Sequence, residues 1–244
     1  MQSPRSLSRP ASAWGSAALH VLLTSAFLTN GSSAISEDEK RAVRPFVTKG
    51  DTWTYRTIST VWQASNKVEL ETFTVTVVNE ELGIIHADVD RRAEGAKENP
   101  EPELNGIWTN EWNAKIITRP GISKGTIVQP HGGAFKFPMK VGDAYDTNYE
   151  ITTATKDGPG SAFKVRRKTS VARWEEVTVP AGKFAAFVIE SDGTVEQIGG
   201  GKTWRMAAKY WYSPEVRRMV KYTQEHWPDD LVGELISYKL SDVQ

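Results

Sequence analysis

Apolar and polar residues alternate with a period of two through most of this chain, the mark of half-buried β-strands rather than helices. Trp53, Tyr55, Thr57, Ser59 and Val61 share one face of a first run, and Phe73, Val75 and Val77 share one face of the next. Ile85, Ala87 and Val89 follow, with His86, Asp88 and Asp90 on the opposite face. Tyr145, Tyr149 and Ile151 alternate with Asp146, Asn148 and Glu150, and Phe163, Val165 and Val171 come next. Trp204, Met206, Ala208, Tyr210 and Tyr212 form an aromatic stripe with Arg205 and Lys209 behind it. Val232, Glu234, Ile236, Tyr238 and Leu240 close the pattern. Phe184 to Ile189 is apolar at every position, as in a strand covered on both faces.

Turn chemistry punctuates these runs. Asn105-Gly106, Asp157-Gly158 and Asp192-Gly193 read as hairpin turns, and Val179-Pro180-Ala181-Gly182 as a type I turn. The predicted fold is all-β: an antiparallel meander forming a strongly curved sheet, a sandwich or an open barrel. Ser36 with Glu39 three residues on is a capping box. It predicts a short N-terminal helix to about Val43, stopped by Pro45. Gly50-Asp51-Thr52-Trp53 and Gly142-Asp143-Ala144-Tyr145 each open an aromatic strand. They are either ordinary turns or the trace of two similar halves, 46–135 and 136–244.

The first 34 residues stand apart. Arg5 and Arg9 precede an apolar run from Ala13 to Leu28, and Ser32-Ser33-Ala34 supplies small residues at its end. This is the pattern of a secretory signal peptide. The expectation is therefore a signal peptide, 1–34, and one β-rich domain, 35–244, working in the periplasm or outside the cell, with no transmembrane segment after signal removal. Without Arg5 and Arg9 the domain holds 28 basic and 30 acidic residues. That balance gives no electrostatic argument for nucleic acid. The chain has no cysteine, which excludes disulfides and thiolate metal sites. With no cysteine after the apolar run, no lipid anchor is expected there.

Candidate chemistry is sparse. Gly121-Ile122-Ser123-Lys124-Gly125 fits the nucleophile-elbow spacing, yet strand-like residues follow it where the elbow needs a helix. Gly199-Gly200-Gly201-Lys202-Thr203 lacks the first glycine of a phosphate loop and leads into a strand. His86, Asp88 and Asp90 are metal-capable residues on one strand face, but such a face is ordinarily just solvated, and no metal or other cofactor is expected. Arg166-Arg167-Lys168 and Arg217-Arg218 read as solvated charges split between two faces. The aromatic stripe remains: Trp204, Tyr210 and Tyr212 are the candidate ligand-binding residues, with packing in the core as the competing role. No catalytic residue is assigned.

Four blocks occur in this order: Gly50 to Tyr55, Phe137 to Asp143, Val179 to Phe184, and Tyr210 to Val216. In these the chain resembles an uncharacterised family of exported proteins of Gram-negative bacteria. The resemblance implies a periplasmic or secreted β-rich domain and carries no activity. The expected function is that of a non-enzymatic envelope protein binding a hydrophobic or amphipathic ligand on a concave aromatic face. The alternatives are an interaction or scaffold protein without a cavity, and a hydrolase whose site converges only in three dimensions. A lipid, a glycan or another envelope protein are the expected partners.

Overall fold

Among the described residues twelve strands pair antiparallel with their neighbours, and the last closes on the first. The structure is a computed structural model describing residues 40–61, 66–97, 103–118, 123–155, 158–226 and 229–241. Its strands are β1 (Arg41–Ala42), β2 (Thr52–Val61), β3 (Lys67–Asn79), β4 (Ile84–Ala93), β5 (Leu104–Thr109), β6 (Ala114–Thr118) and β7 (Ser123–Gln129). They continue with β8 (Met139–Lys140), β9 (Ala144–Thr155), β10 (Gly158–Val179), β11 (Gly182–Gln197), β12 (Thr203–Ser213), β13 (Arg218–His226) and β14 (Asp229–Lys239). β2 to β7 and β9 to β14 are two runs of six consecutive strands, joined where β7 pairs β9 and β14 pairs β2. The barrel is closed, not open, and closure removes the unpaired edges that a sandwich or curved sheet would keep.

No helix occurs among the described residues. The signal-like segment 1–34 and the capping box Ser36–Glu39 lie outside them. Where the description begins, Arg41 and Ala42 are strand β1, paired with Lys140 and Met139 of β8. Ala42 and Met139 are buried on the main core, so the end of the predicted helix is drawn into a two-stranded ladder instead.

The inward faces follow the sequence stripes except where bulges shift them. Thr76 is an extra residue between Val75 and Val77 against β4. Val75 is therefore buried while Val77, expected on the same face, is 49% exposed. In β14 the inward residues are Gly233 and Leu235, and Val232 faces out; the bulge at Ile236 then resets the alternation. The stripe predicted from Val232 to Leu240 is thus corrected in its first half. Asn105-Gly106 and Asp192-Gly193 are not turns but lie inside β5 and β11. Each glycine admits a close neighbour: a Cβ on Gly106 would meet the Trp108 ring at 2.2 Å, and one on Gly193 the Arg166 carbonyl at 1.9 Å. Asp157 lies outside the described residues. Pro180-Ala181 does form the β10–β11 turn.

One turn occurs twice. Asp51 N–H donates to the Thr48 carbonyl and Asp143 N–H to the Lys140 carbonyl, both at 3.2 Å. Gly50 and Gly142 take φ of 93° and 91°, which suits a residue without a side chain. Gly50 N–H then donates to Val75 O, as Gly142 N–H does to Val171 O, each at 2.9 Å. Val75 and Val171 both precede a bulge.

Apolar residues fill the interior while Asp146, Glu150, Arg166 and Lys168 face out, the reverse of a transmembrane barrel. Edge-to-face pairs such as Trp53–Trp112 at 5.2 Å and Trp174–Phe187 at 4.5 Å lock the core, each worth about 0.5–1.5 kcal/mol beyond area burial.

Candidate functional site

Inward side chains are best buried at the end where β2 begins. Tyr212, Tyr210 and Ala208 are buried, whereas Met206 and Trp204, farther along the same stripe, are half-buried. The larger core fills that end; toward the other, a smaller buried cluster of Val128, Tyr149 and Val165 sits among half-buried neighbours such as Met206.

The segment between β7 and β8 fills part of the packed end. Arg167 Nη2 donates to Gly132 O at 2.6 Å, Thr147 Oγ1 to Gly133 O at 3.1 Å and Tyr145 OH to Ala134 O at 3.0 Å. Asn113 exchanges two hydrogen bonds with the Phe135 backbone, at 2.8 and 2.9 Å. Phe135 is thereby set against Tyr210 and Tyr212, with ring centroids at 5.5 and 6.0 Å.

Beside Phe135 lies a cavity of about 190 Å³, walled by inward residues of β3 to β6 and by Tyr212, Arg218 and Met219. Its apolar wall includes Phe73, Leu104, Trp108 and Trp112; its charged groups are Glu71, Arg91 and Arg218. Glu71 accepts from Arg91 Nη2 at 2.5 Å and from Tyr222 OH at 3.4 Å. Arg91 is the more exposed of that pair and marks the open side.

Arg218 is held differently. It is 3% exposed, and its guanidinium carbon sits 3.8 Å from the Phe73 ring centre and 4.1 Å from that of Trp112, with Trp53 and Tyr55 at 5.4 and 5.8 Å. Three of these aromatics also pin the backbone around it. Trp53 Nε1 donates to Val216 O at 2.8 Å, Trp112 Nε1 to Arg217 O at 3.2 Å and Tyr55 OH to Met219 O at 2.6 Å. Aromatic faces attract a cation, by about 2 kcal/mol or more when desolvated, but they accept no conventional hydrogen bond. Among the described residues, Nε and Nη1 of Arg218 have no hydrogen-bond partner. Burial pulls its pKa down, against the opposing pull of Tyr55, Glu71 and Tyr222. Burial also pushes the Tyr55, Tyr212 and Tyr222 phenols well up, so they act as neutral hydrogen-bonding groups and not as bases.

Of the residues singled out in the sequence, Tyr212 lines this cavity. Tyr210 packs on Phe135 and accepts from Gln224 Nε2 at 3.3 Å. Trp204 lies farther along the stripe, its ring 6.3 Å from Phe163. The stripe shares one face but does not converge on one point. His86, Asp88 and Asp90 face outward on β4, and Asp88 accepts from Asn105 Nδ2 at 2.7 Å. Among the described residues no three His, Asp or Glu side chains group as metal ligands. Ser123 begins strand β7; Gly121 and Ile122 lie outside the described residues. Arg167 and Arg218, read as solvated, are both buried. A signal for them existed: Arg167 alternates in step with Val165 and Val171, Arg218 with Val220 and Tyr222, and Glu71 and Arg91 with their own apolar stripes.

The chain matches no protein-family profile. It matches no curated protein sequence. Solved structures do share its fold. A candidate exported protein with a YmcC-like fold from Bacteroides fragilis superposes with a TM-score of 0.50 at 14% identity, covering 81% of this chain and 99% of the other. A candidate lipoprotein from Parabacteroides distasonis gives 0.51 at 13% identity, with 81% and 100% covered. What is shared is the fold. The hypothetical lipoprotein YmcC of Escherichia coli gives a TM-score of 0.46 at 8% identity, over 78% and 86%. The first two neighbours are thus a candidate exported protein and a candidate lipoprotein, both of Gram-negative bacteria.

Proposed function

We propose that this chain is an exported, non-enzymatic envelope protein that holds an amphipathic ligand inside its barrel. The observation that carries the reading is the interior cavity, with an aromatic and aliphatic wall and a few charged groups on one side. Binding sites combine those features: a mostly apolar lining with a small number of placed polar groups. At about 190 Å³ the cavity is below the roughly 300–1,000 Å³ of sites for drug-sized molecules. It suits one end of a ligand whose remainder lies toward the half-buried end of the barrel. Export is supported by the signal-like start of the chain and by the names of its structural neighbours. The interior carboxylate Glu71 is engaged by Arg91 and Tyr222, which argues against its use as a free catalytic base.

Native mass spectrometry of protein purified from the envelope of its own cells tests both parts. The expected result is a chain beginning within a few residues of Ile35 and carrying a bound lipid-like or glycan mass. An intact Met1 terminus on cytoplasmic protein overturns export. A ligand-free barrel that also binds no hydrophobic dye overturns ligand binding and leaves the scaffold reading.

A further inference from the structure

We infer that the Arg218 guanidinium is the receptor for a monoanionic carboxylate head group on the ligand inside the barrel. This rests on the reading of the cavity as a ligand site and deepens it.

Three observations meet at this residue. First, Arg218 is almost wholly buried, lines the cavity, and among the described residues leaves Nε and Nη1 without an acceptor. A buried donor without a partner costs free energy, and a buried cation more so. A carboxylate oxygen is the acceptor that offsets both. Second, the charges lining the cavity do not balance. Arg91 and Glu71 neutralise each other at 2.5 Å, and Arg218 remains as a single positive charge. One excess charge matches a monoanion; a dianionic phosphate monoester would leave negative charge buried. Third, the guanidinium is positioned rather than merely tolerated. Phe73 and Trp112 crowd it at 3.8 and 4.1 Å, while the Trp53, Trp112 and Tyr55 side chains fix the carbonyls of Val216, Arg217 and Met219 around it. A cation held in place beforehand lowers the ordering cost of binding an anion; an oxygen reaches Nε or Nη1 from the cavity once the side chains packed over them give way. The apolar wall of Leu104, Trp108, Ile117 and Phe135 then takes the first carbons of an acyl chain.

Isothermal titration with octanoate and with 1-octanol, its neutral counterpart, tests the assignment. Wild type should bind octanoate at least about tenfold more tightly, as one charge-assisted hydrogen bond would give. Arg218→Met keeps an apolar stem in the cage. It should lose that preference, with octanoate and octanol then binding alike. Equal affinity of wild type for the two ligands, or retained octanoate preference in Arg218→Met, overturns the inference. Should Arg218→Met fail to fold, the wild-type ratio alone decides. Binding of octanol without anion preference removes only the head-group assignment; absence of binding by either ligand removes the ligand-site reading with it.

Discussion

Asp51 and Asp143 occupy the same place in two copies of one turn, so replacing each by alanine separates what the turn requires from what its surroundings add. Asp143 accepts a single hydrogen bond, from Lys140 N–H at 2.9 Å, at the surface. Asp51 is fully buried. Its carboxylate accepts from Thr48 N–H and Thr48 Oγ1, both at 3.0 Å, and from Ser241 N–H at 2.7 Å. It also faces Arg217 Nη1 at 3.7 Å. Asp143→Ala removes an interaction like a helix cap, worth about 1 kcal/mol. Asp51→Ala leaves three part-buried donors on Thr48 and Ser241 without their acceptor and half-buried Arg217 without its counter-charge. Breaking such a buried charged arrangement costs about 3–5 kcal/mol. For a domain of this size the two substitutions should lower Tm by roughly 2–4 °C and 6–20 °C respectively. Urea unfolding of both variants, with free energies from linear extrapolation, measures the difference directly. Values within about 1 kcal/mol of each other would refute the reasoning, because the twofold occurrence of the turn would then explain everything and the Asp51 network nothing.

Three further outcomes follow from the packing. Tyr210→Ala removes a buried ring held against Phe135 and should cost about 3–5 kcal/mol in urea unfolding; a loss under about 1 kcal/mol would place Tyr210 on a cavity wall instead. Gly133→Ala puts a Cβ 2.1 Å from Thr147 Cγ2 at φ 57°, so Tm should fall by the αL cost of about 1–2 kcal/mol plus the overlap; an unchanged Tm would show that the Gly132–Phe135 segment is not held inside the barrel. His131 has its pKa pulled down by burial, opposed by Glu111 and reinforced by Lys115, and its Nδ1 accepts from Gly133 N–H at 3.1 Å. Below the ordinary histidine range, near 6.5, the unfolded chain takes up the proton first, so stability falls as pH drops from 7 toward 5. His131→Gln should show a shallower fall over the same interval in chemical denaturation, and an identical slope would remove His131 as its cause.

Alternation alone determined that this chain is an antiparallel β-protein, and it assigned most inward faces correctly: Trp53 and Tyr55, Ile85 to Val89, Val165, and Tyr210 with Tyr212 are buried as their spacing requires. That follows because side-chain direction in a strand is local, reversing at each residue. What spacing cannot carry is where the alternation slips. The bulges at Thr76 and Ile236 move Val77 and Val232 to the outer face, and a bulge is fixed by pairing with a partner strand distant in sequence. Closure of the barrel is likewise decided only when β14 meets β2, since an open and a closed sheet use the same alternating pattern. The site shows the same division. The residues Glu71, Arg91 and Arg218 each stood in step with an apolar stripe, but a charge on such a stripe can end in solvent, in an ion pair or in a cage. Only the tertiary structure, which brings Phe73 of β3 and Trp112 of the β5–β6 connection onto Arg218 of β13, decides that among the described residues Glu71 is paired while Nε and Nη1 of Arg218 are not. Burial and desolvation are properties of the assembled neighbourhood, and no single strand contains them.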